Sequence, residues 1–205
     1  MGLYTEQVVP RFTDLLLGTK AFGRIRRRVC AGLHGDVLEI GFGSGLNLPY
    51  LPAEVTGLWA VEPSGVGLRL ARARIESARV PVHPAGADGA RLDLPDDRFD
   101  AALSTMTLCT IPDVEGALAE VRRVLKPGAR LHFAEHGRSP DPKVRRTQDR
   151  FDPWQQRLAG GCHLNRDIVG LIEGAGLRVE TVEHFSLRAP RAWGYMSLGR
   201  AVKDG

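Results

Sequence analysis

Val37-Leu38-Glu39-Ile40-Gly41-Phe42-Gly43-Ser44-Gly45 is the stretch of this 205-residue chain on which the fold turns. A short apolar run leads straight into a glycine-rich turn, where missing side chains let the backbone approach a ligand closely. The spacing is Gly-x-Gly-x-Gly. A dinucleotide fingerprint needs its third glycine at position 46, where this chain has Leu46. The tighter turn therefore favours a ligand without a pyrophosphate.

Downstream of Asp36, short apolar runs alternate with helical stretches, the mark of a parallel sheet. The expected strands are 36–41, 56–62, 80–83, 99–104 and 129–135, with helices over 65–77 and 114–125. Asp113 is placed as the N-cap of the second helix and Lys126-Pro127-Gly128 as its stop. Upstream, Val8, Phe12, Leu15, Leu16, Phe22, Ile25 and Val29 recur at helical spacing, which predicts one or two amphipathic helices within 4–31, broken at Pro10 and Gly18. Packing on the sheet is their expected role.

The stretch 137–166 is polar, rich in arginine and punctuated by Pro140, Pro142 and Pro153. Val144, Phe151 and Leu158 fall near helical spacing within it, so it reads as a cap or acceptor-binding insertion carrying an amphipathic segment over the site. A helix over 165–175 and two strands over 177–185 and 192–202, pairing antiparallel at a sheet edge, complete the chain. The whole of 1–205 is one domain: helices in 1–31, a core in 36–136, the insertion in 137–166, and a helix with edge strands in 167–205.

Composition is that of a globular protein, with 43% hydrophobic and 25% charged residues. No run approaches the roughly 20 apolar residues that span a bilayer, and the amino terminus lacks a signal-peptide layout. A cytoplasmic protein is expected, without stable membrane insertion, though peripheral contact stays open. Met1-Gly2 is not followed by Ser or Thr at position 6, where Glu6 stands, so acylation is not expected. Cys30, Cys109 and Cys162 contain no Cys-x-x-Cys pair, which argues against a disulfide framework and against zinc. The charge of +4 is concentrated at Arg24, Arg26, Arg27 and Arg28, which read as a solvated helix face, and no nucleic-acid partner is expected.

Two carboxylates give the glycine turn a ligand. Glu62 ends the second strand about 20 residues past the turn, where a carboxylate accepts from both hydroxyls of a ribose. Asp88 follows the third strand, where it can accept from the amino group of an adenine.

With these features the chain resembles the class I S-adenosylmethionine-dependent methyltransferases from about Asp36 to His136. The resemblance implies S-adenosyl-L-methionine as cofactor and a Rossmann-like, doubly wound α/β fold. Its sheet would be mostly parallel and seven-stranded, with an antiparallel edge strand and helices on both faces. It also places Glu39 against the methionine ammonium group, Gly41, Gly43 and Gly45 along the cofactor, Glu62 on the ribose and Asp88 on the adenine, with Ser104 added at the end of the fourth strand.

Four further strings narrow the resemblance: Ser104 to Pro112, Glu120 to Gly128, Phe133-Ala134-Glu135-His136, and Gly161-Cys162-His163-Leu164-Asn165-Arg166. They are similar to the alkyl thiol methyltransferases and their bacterial relatives. A small-molecule thiol is the acceptor this implies, with a phosphatidylethanolamine amine or a hydroxyl as alternatives. A non-catalytic cofactor-binding protein is the alternative from another class. The animal thiol enzymes carry an amino-terminal membrane anchor that has no counterpart here, which weakens a lipid acceptor.

Methyl transfer from a sulfonium is a direct displacement, so the protein supplies proximity, alignment and a dry pocket. A thiol acceptor must also ionise, since thiols titrate near pH 8.5. His136 at the end of the fifth strand is the expected base, oriented by Glu135, with His163 as a second candidate. Met106, Phe151 and Trp154 are the expected apolar wall for the acceptor, and Cys109 and Cys162 read as small buried hydrophobes.

Overall fold

The computed structural model describes residues 7–205. The acylation reading at Met1, Gly2 and Glu6 lies outside the described residues. Seven strands form one sheet in the order β3-β2-β1-β4-β5-β7-β6. They are β1 Gly35–Ile40, β2 Val55–Val61, β3 Val82–Gly86, β4 Phe99–Thr105, β5 Leu125–His136, β6 Arg178–Ser186 and β7 Tyr195–Val202. The helices are α1 Val9–Leu17, α2 Lys20–Cys30, α3 Gly65–Glu76, α4 Val114–Val124, α5 Pro142–Leu158, α6 Ile168–Gly174 and the short α7 Arg191–Gly194.

The first five strands are parallel, while β7 runs antiparallel to both β5 and β6. The chain winds outward from β1 to β3, then returns to lay β4 on the other side of β1. That reversal is a topological switch point, and it opens a crevice at the carboxyl ends of β1 and β4. A cavity of about 430 Å³ lies elsewhere, among His34, Asp100, Lys126, Arg130 and Arg200 at the amino ends of strands. It is remote from that crevice.

Two apolar layers sandwich the sheet. Phe99, Phe133, Leu118 and Ile172 lie in the layer shared with α4 and α6. Leu33, Leu58, Leu103 and Val29 lie in the layer shared with α2 and the Leu48–Tyr50 turn. Each central strand buries both faces, which is why β4 reads as an almost unbroken apolar run.

Several boundaries move from their expected places. Pro10 does not break a helix but lies in the first turn of α1, where its missing N–H costs nothing. Gly18 does end that helix. Val124 is the last residue of α4 and β5 begins at once at Leu125, running through the Lys126-Pro127-Gly128 stop with a register shift before Arg130. The third strand starts later than the expected 80–83, and it tolerates Pro84 because it is the sheet's edge.

The insertion is a 17-residue helix, and its orientation reverses the expected one. Its inward face is polar. Gln148, fully buried, donates to the carbonyls of Gly137 at 2.9 Å, Leu164 at 2.9 Å and Ala192 at 3.1 Å, and accepts from Ser139 N at 2.9 Å. Asp152 accepts from Leu164 N at 2.6 Å and from Gln156 at 2.7 Å, and faces His163 Nδ1 at 3.1 Å. Phe151, Trp154 and Leu158 point outward, and Trp154 is 62% exposed.

Because one buried amide meets four backbone groups from three segments, with its two N–H bonds shared among three carbonyls, Gln148→Leu should cost about 3 kcal/mol. A shift of the urea midpoint with an unchanged slope would show it; an unchanged midpoint would mean that the three segments hold without it.

Candidate active site at the switch point

The crevice has two halves, each built on a buried carboxylate at the end of a central strand. On the β1 side, Glu39 is 1% exposed and accepts at Oε1 from Asn47 Nδ2 at 2.7 Å. Asn47 Nδ2 also donates to Thr105 Oγ1 of β4 at 3.0 Å, and Asn47 Oδ1 accepts from Arg26 Nη1 of α2 at 2.7 Å. Burial pushes Glu39 up to about 8, against the Asn47 hydrogen bond and the Arg26 charge that favour its ionised form. Burial likewise lowers Arg26.

Arg26 corrects the reading of its cluster as a solvated face. It is 5% exposed, while Arg24, Arg27 and Arg28 on the same helix are not buried with it. The missed signal is helical phase: Arg26 sits on the side of α2 that carries Phe22, Ile25 and Val29. Arg26 Nε and Glu39 Oε2 are buried polar atoms without a hydrogen-bond partner among the described residues.

The three glycines of the turn do different work. All have positive φ, at 70° for Gly41, 59° for Gly43 and 74° for Gly45. A Cβ on Gly41 would meet the Thr107 side chain at 2.2 Å, and one on Gly45 would press on Phe42 at 3.0 Å and Leu48 at 3.1 Å. A Cβ on Gly43 would meet nothing nearer than the Gly41 carbonyl oxygen at 4.0 Å. Gly43 alone thus faces open space, while the other two permit close packing. From α1, Asp14 braces the turn by accepting from Ser44 Oγ at 2.5 Å and from Arg74 at 2.9 Å.

Glu62, at the end of β2, accepts from Gly43 N at 2.5 Å and Ser64 N at 2.7 Å, and burial raises it. Its carboxylate therefore shapes the glycine turn as well as bordering the crevice. Asp88 is exposed beyond β3 and accepts from Ala90 N at 3.0 Å.

On the β5 side, Glu135 is fully buried and holds the turn after β4. Its oxygens accept from Ser104 Oγ at 2.7 Å, Thr107 N at 2.8 Å and Leu108 N at 3.1 Å. Burial pushes it up to about 7. Ser104, 1% exposed, is turned toward this carboxylate. Met106 begins the turn with φ 56°, a strained value for a branchless but bulky side chain. His136 is 6% exposed, with Nε2 3.0 Å from Cys162 Sγ, and Cys162 Sγ is 3.6 Å from Cys109 Sγ. Burial opposes its charge, yet the contacts with Cys162 and Glu135 raise it overall. The His163 imidazole is paired with Asp152, and only the backbone of His163 bonds to the cysteine loops, its N–H donating to the Cys109 carbonyl at 2.8 Å.

A family profile described as a methyltransferase domain matches residues 38–133. The 2-phytyl-1,4-naphtoquinone methyltransferase of Synechococcus elongatus is 34% identical over 75% of this chain and 70% of its own length. Thiol S-methyltransferase TMT1B of Rattus norvegicus is 31% identical over 82% of this chain and 70% of its own. The chain is a class I S-adenosylmethionine-dependent methyltransferase. A solved SAM-dependent methyltransferase of Methanosarcina mazei superposes with a TM-score of 0.63 at 20% identity, covering 82% of this chain and 92% of that one.

The crevice of this methyltransferase offers groups of the kind its cofactor needs. An amino-acid end carries an ammonium and a carboxylate. The unpartnered Glu39 oxygen and Arg26 N–H would be a matching acceptor and donor for these groups, and the Cβ position of Gly43 faces open space.

Gly43→Ala should therefore fold at a cost of only about 1–2 kcal/mol for its left-handed backbone, yet lose at least about tenfold in cofactor affinity by calorimetry. Gly41→Ala should fail to fold. Normal affinity in Gly43→Ala would remove the cofactor from that space.

Glu39 gives a pH signature. Its folded value of about 8 lies above its unfolded one, so the native state holds the proton longer. Its contribution to the stability of the cofactor-free protein is complete at low pH and lost as pH rises toward 8. Glu39→Gln should flatten that slope in thermal melts between pH 5 and pH 8, and weaken cofactor binding about tenfold or more.

Proposed function

We propose that this methyltransferase acts on the sulfur of a small, apolar thiol. The observation that carries this reading is the make-up of the acceptor end of the crevice. Cys109, Cys162 and His136 gather there, in and beside the turn that Met106 begins, a soft and weakly polar set beside which Glu135 has all its acceptor capacity turned to backbone and Ser104. A thiol suits such surroundings, whereas a zwitterionic headgroup would demand charged partners. The likeness to the rat thiol enzyme supports it, since that alignment reaches over more of this chain than the quinone one does.

The bound cofactor supplies an electrophilic methyl group on a sulfonium. The chain's own residues do the rest. Arg26 and Glu39 hold the amino-acid end, and Glu62 and Asp88 hold the ribose and adenine. Glu135 positions the turn on which Met106 and Cys109 sit. Lowering the acceptor's proton affinity falls to the His136 cluster, because free thiols are mostly protonated at neutral pH.

A labelled-methyl assay against alkyl thiols, phosphatidylethanolamine vesicles, phenols and a naphthoquinone tests the acceptor. Transfer to thiols is expected; transfer confined to any other class would overturn the reading. His136→Ala should lower kcat about 100-fold or more while leaving cofactor affinity unchanged, and an unaltered rate at saturation would take His136 out of the chemistry.

A further inference from the structure

Cys109, His136 and Cys162 reach the interior from the turn after β4, the end of β5 and the loop after α5. Their exposures are 2%, 6% and 9%, and their ligand atoms all lie within 4.8 Å of one another. A tetrahedral zinc ion with bonds of about 2.3 Å to sulfur and about 2.0 Å to nitrogen sets two sulfurs about 3.8 Å apart and sulfur and nitrogen about 3.5 Å apart. The Cys109 and Cys162 sulfurs, at 3.6 Å, already stand near that spacing. The 3.0 Å contact between His136 and Cys162 needs only a small opening.

The loops bearing these residues are braced as a ligand cage requires. His163 N donates to the Cys109 carbonyl at 2.8 Å, joining the two cysteine loops. Arg166 donates to the carbonyls of Leu108 and of Ile111, at 2.7 Å for the latter. Glu135 fixes Thr107 N and Leu108 N directly ahead of Cys109. Two thiols and one imidazole are moreover a Cys2His set, three protein ligands that leave a tetrahedral ion one place open.

We propose that Cys109, His136 and Cys162 hold a zinc ion, and, resting on the thiol reading above, that the acceptor sulfur takes its open position. Coordination makes a thiol acidic enough to lose its proton outright. The acceptor S–H proton leaves to solvent as sulfur binds the ion. A sulfur electron pair then forms the new S–CH3 bond while the sulfonium C–S bond breaks and its electrons stay on the departing thioether sulfur. No redox partner is needed, and His136 acts as a ligand rather than a free base.

The test uses the full chain, purified without chelator, with metal content measured by mass spectrometry and cobalt(II) substituted for spectroscopy. About one zinc per chain is expected, lost in Cys109→Ser and in Cys162→Ser but kept in Cys30→Ser. Should either serine variant fail to fold, removal and return of metal in the unaltered protein gives the same answer. The cobalt form should show sulfur-to-cobalt charge transfer and strong tetrahedral visible bands. Those bands should shift when an alkyl thiol is added without methyl donor. Folded protein that takes up no stoichiometric metal yet methylates thiols would overturn the zinc site and leave the thiol reading standing. Bound metal with bands indifferent to a thiol that is nevertheless methylated would overturn the acceptor role. Bound metal without methylation of any thiol would overturn the acceptor role and the thiol reading together, and support the ion site alone.

Discussion

Asn47 joins α2, β1 and β4 through one buried amide, and the cofactor half of the crevice depends on it. Its oxygen takes Arg26, and its nitrogen serves both Glu39 and Thr105. A cation and a carboxylate are thereby held apart in the interior, each with one polar atom left over. Burying such groups is costly unless something completes them. In the site proposed above, the zwitterionic end of the cofactor completes both groups.

Glu135, on β5, is the counterpart of Glu39 on the other side of β4. It is a fully buried carboxylate that spends its oxygens on Ser104 and on the backbone of the turn after β4. That turn carries Met106 with its strained φ and Cys109 within reach of His136 and Cys162. One carboxylate thus organises the surroundings of β1 and the other the turn after β4, with the switch point between β1 and β4 lying between them.

The insertion helix is attached to this frame by polar contacts rather than apolar ones. Gln148 and Asp152 close the backbone groups of the segments leading into and out of the acceptor end. Hydrogen bonds fix position more sharply than apolar packing does, and the loops they hold carry Cys162 and His163. The apolar residues of the helix remain on its outer surface.

The sequence by itself determined the βαβ alternation, the glycine turn and the strand-end carboxylate Glu62, because these follow from local periodicity and from backbone conformations that only glycine adopts easily, while Glu39 was marked by the resemblance to the family. It also determined the helix boundaries at Asp113 and Gly18, where capping is a matter of a few neighbouring residues. Tertiary structure alone decided that Arg26 meets Asn47, that Ser104 turns to Glu135, that α5 faces inward with its polar side, and that Cys109, His136 and Cys162 meet. Each of these rests on contacts between segments far apart in the chain, such as Arg26 with Asn47 or Cys109 with Cys162. Burial and the satisfaction of polar groups are settled by what packs against a residue, and spacing along one segment carries no record of that.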